Sequence, residues 1–206
     1  MDKINSETFE DRALVYISQQ KRWHPPSSCL WANDTRISGK FAIASAYPDL
    51  REFFVNNLKV EEPNLAMYVQ ELKLLVDAAK KPSITDVKEM IKEINSYRPH
   101  QGALDALEAS SVLPVKNTDG LINLKSSTDV FAIVDRDEYE KLFRYRVAVL
   151  DYTLEEAHAL RPFISAMGLE GRFMSENVSE ATTVNVSSRI SRVSQVVKEK
   201  AYALFR

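Results

Sequence analysis

The sequence predicts an α+β protein with a mostly helical N-terminal half containing an αα-hairpin. The C-terminal half is expected to carry a small mixed β-sheet with further helices. Three observations lead there. Apolar residues recur at three-four spacing between Leu65 and Ile94, interrupted by Pro82. After about Leu107 the pattern changes to short apolar runs separated by turn residues. The signature Thr153-Leu154-Glu155-Glu156 then restores a helical pattern. This change of period divides the chain into an expected helical subdomain, 1–106, and an α+β subdomain, 107–206, with one continuous domain as the other option.

Taken in order, residues 7–23 read as a first amphipathic helix. Phe9, Leu14, Val15 and Ile17 form its apolar stripe, and Pro25-Pro26 ends it because proline lacks an amide donor. Cys29 to Ala32 follows as a short extended piece. Helix is expected again from Pro48, with Leu50, Phe53, Phe54 and Leu58 on one face. The hairpin comes next. Tyr68, Val69, Leu72, Leu75 and Val76 line one arm, which Lys80-Lys81 and Pro82 close. Ser83 caps the second arm, Asp86 sits in its first turn, and Val87, Met90, Ile91 and Ile94 form its stripe.

In the second half, "SVLPVKNTDGLINLKSS" reads as strand, turn, strand, the turn marked by Asn117 and Asp119-Gly120. "VFAIVD" suits a buried strand, "DRDEYEKLF" a short helix, and "RVAVLDY" another strand. The capping box at Thr153 and Glu156 starts a helix expected to continue through Leu160, Phe163 and Ile164, with Gly168 as its terminal glycine. Residues 187–206 repeat Ile190, Val193, Val197, Ala201 and Leu204 among basic residues, the pattern of a basic amphipathic helix. That pattern runs to the last residue, which leads to the expectation of a fragment of a larger protein.

Composition narrows the function classes. Of 206 residues, 45% are hydrophobic and 27% charged, with a net charge of −2, so no global field draws the chain toward nucleic acid or anionic lipid. A single cysteine makes no internal disulfide, and no secretory signal or membrane span is legible. An intracellular setting, cytoplasmic or nuclear, is therefore expected.

Candidate chemistry is sparse. "WHPPSSCLW" places Cys29 five residues from His24, and a thiolate with a histidine base would make a nucleophile. Free cysteine more commonly behaves as a small buried hydrophobe, and the spacing matches no thiol-hydrolase signature. The structural reading is preferred, with a small cysteine-dependent enzyme using Cys29 and His24 as the alternative. His24, Cys29, His100 and His158 are too scattered for a metal pattern. Asp135, Asp137, Glu138 and Glu140 read as dipole-favoured acids at a helix start rather than magnesium ligands. In "LEEAHAL", Glu156 is taken by its capping role and His158 reads as a partly buried histidine. Nucleotide-binding loops (G-x-x-x-x-G-K-[ST], G-x-G-x-x-G and D-x-G-x-G) are absent, so no cofactor is expected. The 187–206 segment offers a docking face formed by Arg189, Arg192, Val193, Val197, Lys200 and Leu204. Its charge suits an acidic protein surface better than nucleic acid, because it lacks clustered aromatics.

Several stretches occur in a characteristic order: "SSCLWA", "ISGKFAIASAYPDLREFFVNNLKV", "VLPVKNTDG", "DVFAIVDR", "VLDYTLEEAHALRPFISAMGLEGRFMSENVSE" and "KAYALFR". This arrangement resembles a region of large fungal proteins related to sacsin and to the plant protein NO VEIN. That region lies downstream of their GHKL-type, heat-shock-chaperone-like ATPase domain. The resemblance spans roughly 23–206, and "LRPFISAMGLEGRFMS" is its most distinctive part. It implies a non-catalytic scaffold or protein-interaction module. Its partners would be proteins, among them an ATPase domain of the same or a longer protein.

Overall fold

The computed structural model describes residues 12–18, 20–77, 82–143 and 145–179. Their architecture is mixed α+β, and the first sixty residues depart most from the sequence reading. The stretch expected to be a helix over 7–23 contains an antiparallel hairpin instead, β1 (Val15–Ile17) with β2 (Arg22–His24). Val15 and Ile17 point inward and Tyr16 outward, a period of two rather than 3.6. Three of the four residues 14–17 are β-branched or aromatic, which suits a pleated surface. Lys21 takes a left-handed φ of 54° to close the turn, and the Tyr16 and Trp23 rings meet at 5.3 Å across the pair. The N-terminal half is thus not mostly helical.

Pro26 opens a 3-10 turn over Pro26–Ser28 that delivers β3 (Cys29–Leu30) alongside β4 (Phe41–Ala42) in parallel. The helix expected from Pro48 is a short helical stretch over 51–57 that widens into a π-type turn at Phe53–Asn57. Widening rotates the face, so Phe54 alone of the expected four is fully buried. Leu58 is partly buried, while Leu50 and Phe53 are each 46% exposed.

The hairpin matches its expectation: α1 (Leu65–Asp77) packs against α2 (Ile84–Ser96). Tyr68, Val69 and Leu72 of α1 meet Val87, Met90, Ile91 and Ile94 of α2 in the main core, with Leu75 and Val76 half-buried beside them. Glu71, a carboxylate buried on α1, accepts a hydrogen bond from the Ser38 hydroxyl and ties the loop after β3 to the hairpin. Ser83 stands at the N-cap of α2 without a side-chain capping bond, and Asp86 occupies its first turn. Lys80-Lys81 lie outside the described residues.

The C-terminal half holds an antiparallel sheet ordered β6–β5–β7, from β5 (Leu113–Lys116), β6 (Ile122–Lys125) and β7 (Val149–Leu150). The β5–β6 turn needs Gly120, at φ +83°, because an L side chain rarely adopts that conformation. "VFAIVD" is buried at Phe131 and Ile133 but forms only single parallel bridges, Ala132 to Val149 and Ile133 to Phe173. Its neighbours run alongside for too few residues to build a ladder. Between them comes α3 (Asp137–Phe143).

The helix expected from Thr153 through Ile164 is two helices, α4 (Leu154–Ala159) and α5 (Arg161–Ala166). Pro162 has no amide donor, so the ladder breaks there. Asn95 of α2 repairs the break: its amide donates to the Ala159 carbonyl at 3.0 Å and accepts from the Phe163 amide at 3.1 Å. The capping box at Thr153 is complete, and Gly168 at φ +67° ends α5 in a Schellman motif. That motif shows in the bonds from Gly168 N–H to Ser165 and from Leu169 N–H to Ile164. A last turn, α6 (Met174–Asn177), completes the described chain.

Candidate interaction groove

Of the aminoterminal candidate pair, Cys29 proves to be part of a small apolar cluster. Cys29 is buried with Val15, Ile17, Ile43, Phe54 and Val60. Burial pushes its thiol pKa up, and the thiol donates to the Pro25 carbonyl rather than to His24. The His24 ring lies 4.3 Å from Phe41, and its Nε2 is buried without a hydrogen-bond partner. A raised thiol pKa works against the thiolate that nucleophilic chemistry requires.

His158, expected to be partly buried, is exposed at the end of α4. Glu156 serves the capping box and accepts an ion pair from Lys92 at 3.2 Å. The Thr153 amide, followed by Lys92, holds its carboxyl below the usual range. No group of three metal-ligating side chains occurs among the described residues, and no helix there is long and apolar enough to cross a membrane. The docking residues Arg189, Arg192, Val193, Val197, Lys200 and Leu204 lie outside the described residues.

The feature that sequence reasoning missed lies between α3 and α6. Helix α3 starts with Asp137, Glu138 and Glu140 in its first turn, where the dipole favours anions. This orients Tyr139 inward, its ring 6.3 Å from Phe143, with the Arg136 guanidinium over its face. Tyr145, at φ 64°, then turns the chain back toward β7, and Val147, two residues before that strand, lines the same hollows as Phe143. Two hollows result, of about 70 and 320 Å³, which share Phe143, Val147 and Met174 as a common ridge. Phe131 and Val178 wall the larger one.

A polar frame keeps this groove in shape. Arg172 stacks on Phe131 at 4.4 Å from the ring centre and donates to the carbonyls of Ser127 and Asp129. Asp129 accepts from the Ser126 amide and hydroxyl, and the amide bond foremost lowers its pKa. Asp135 accepts from the amide and hydroxyl of Ser175, fixing the start of α6. Asn177 donates to the carbonyls of Gly171 and Phe173. The stretch "LRPFISAMGLEGRFMS" therefore builds the α5 stop and the groove floor. Around it Leu142 is 59%, Tyr145 60%, Val147 37% and Val130 87% exposed. Exposed apolar residues with a fixed polar frame form a surface suited to another apolar surface. Only their clustering in space shows this, since no periodicity joins 130, 142 and 147.

The family model described as Domain of unknown function (DUF8348) matches residues 66–178, more than half of the chain. Comparison with curated proteins and with solved structures gives no match. The match begins in α1 and ends at Val178 on the groove wall, so both the hairpin and the groove fall within it. The chain belongs to the DUF8348 family.

Proposed function

We propose that this protein is a non-catalytic, intracellular scaffold module of a sacsin/NO VEIN-like chaperone-type protein, and that it works by protein–protein contact. The observation that carries the reading is the apolar groove formed by Phe131, Phe143, Val147, Met174 and Val178. Its floor is held by hydrogen bonds within the protein, so its shape does not depend on a ligand. The order of motifs resembling the region beyond a GHKL-type ATPase supports an ATPase domain as partner. Nucleotide-driven closure of such a domain does work only when a neighbouring module responds to it.

The test is titration calorimetry of the full chain against a recombinant GHKL-type ATPase domain from a longer protein of that kind, with and without nucleotide. The wild type should bind, and Val147→Asp should weaken binding about tenfold or more, because a charge would be buried without a partner. Absence of binding in both nucleotide states would overturn the reading. So would ATP hydrolysis by the chain itself that follows the protein through purification.

A further inference from the structure

The described chain ends on the wall of the groove. Val178 lines the larger hollow, and its amide donates to the Met174 carbonyl at 2.8 Å, so the last described residues stand at the groove rim. Eight residues, 179–186, separate that rim from Ser187. Extended, they reach about 26 Å at roughly 3.3 Å per residue, enough to bring the next segment back over the same face.

We infer that the groove between α3 and α6 is a docking site for the chain's own residues 187–206. Ile190, Val193, Val197, Ala201 and Leu204 repeat at intervals of three and four, the sequence spacing of one helix face. That apolar stripe matches a hollow walled by Phe131, Phe143, Val147 and Met174. The charges also match. Residues 187–206 hold five cations (Arg189, Arg192, Lys198, Lys200, Arg206) against Glu199. Around the groove Asp137, Glu138 and Glu140 of α3 and Glu176 of α6 are exposed, against Lys141 of α3, Arg146 in the turn after it and the half-buried Lys116 beside the smaller hollow. The nearby Arg136 and Arg172 are engaged with the Tyr139 and Phe131 rings.

A short tether gives such a segment an effective concentration on the order of millimolar, so a weak contact suffices to occupy the groove. The inference rests on the groove being the interaction surface, and it names the segment of this chain that occupies it.

Hydrogen exchange of the full chain, read by mass spectrometry, tests the contact. In the wild type, residues 142–149 and 174–178 should exchange at least tenfold more slowly than in the double variant Val193→Asp/Val197→Asp. Exchange in α1 and α2 should be the same in both. If the double variant also speeds exchange in α1 and α2, Lys198→Glu/Lys200→Glu reads the contact from its charged side and should expose the same peptides. Unchanged exchange at 142–149 overturns docking. Protection that vanishes on dilution also overturns it, because a second copy would then be the occupant.

The two readings fail separately. If protection is absent while Val147→Asp still weakens the ATPase-domain titration, docking falls and the interaction module stands. If protection is present and no partner binds even to Val193→Asp/Val197→Asp, the module reading falls and docking stands.

Discussion

Apart from Leu30 and Ile37, which join the larger core, the buried apolar residues described between 12 and 61 gather around Val15, Ile17, Cys29, Ile43, Phe54 and Val60, joined by strands of two or three residues. The α1–α2 hairpin, the β6–β5–β7 sheet and helices α4 and α5 instead share a cluster that runs from Leu30 to Phe173. The first region depends on ring contacts (Trp31 stacked on Phe54, Tyr47 tilted on Phe54, His24 tilted on Phe41) and on single strand pairs. The second joins long helices to a sheet through fully buried Leu72, Ile91, Ile94, Leu107 and Ile164. Short elements close few hydrogen bonds for the backbone entropy they cost, so the smaller cluster should open before the larger one unfolds. The DUF8348 match covers most of the larger assembly and stops short of the smaller.

The strongest way to break that comparison is to empty one cluster at a time. Ile91→Ala, in the larger core, should lower global stability by about 2–5 kcal/mol in a denaturant melt. Ile43→Ala should leave exchange in α1 and α2 nearly unchanged and make Cys29 accessible to a thiol reagent under native conditions. In the wild type that thiol should react only on opening. Equal effects of both variants on α2 would show that the two clusters unfold as one.

Ion pairs sharpen the contrast at lower energy. Lys88 donates to Asp151 at 2.6 Å with both side chains less than a quarter exposed, and its ammonium lies 5.0 Å from the Tyr152 ring centre. Arg51 and Glu62 of the smaller region meet at the same distance but are more than half exposed. Lys88→Met should cost about 1.5–3 kcal/mol, since it removes a sheltered charged hydrogen bond. Arg51→Met should cost about 0.2–1 kcal/mol, and that small loss should vanish at high salt. Chemical denaturation at low and high ionic strength separates the two.

The smallest effect belongs to the capping box. Thr153→Ala should cost about 1 kcal/mol. Glu156 has a folded-state pKa below the ordinary carboxylate range, so its stabilisation is complete above that range. It is lost as the pH falls through the folded-state value. Glu156→Gln should therefore flatten the acid limb of the stability–pH curve, measured by melts at stepped pH.

How much was legible follows element length and the range of the interactions. In the hairpin, Val87, Met90, Ile91 and Ile94 repeat over thirteen residues, long enough for periodicity to decide the structure. The Thr153 cap and the Gly168 stop were equally readable, because each acts within one turn. Leu14, Val15 and Ile17 fit a helix stripe and a strand alternation alike, and only pairing with residues 22–24 selects the strand. The break at Pro162 was written in the sequence, whereas its repair by Asn95, more than sixty residues away, was not.

By itself, then, the sequence determined the α+β class, the α1–α2 hairpin, the β5–β6 turn and the caps at Thr153 and Gly168, all set by local propensity and spacing. Tertiary structure alone decided three things: the N-terminal strands, the Pro25 carbonyl as the partner of the Cys29 thiol, and the groove. Phe131, Phe143 with Val147, and Met174 with Val178 come from three separate stretches of chain, and no local rule brings them together. The groove exists because the β7 bridge to Ala132 and the Ile133 bridge to Phe173 hold α3 and α6 on either side of one short strand.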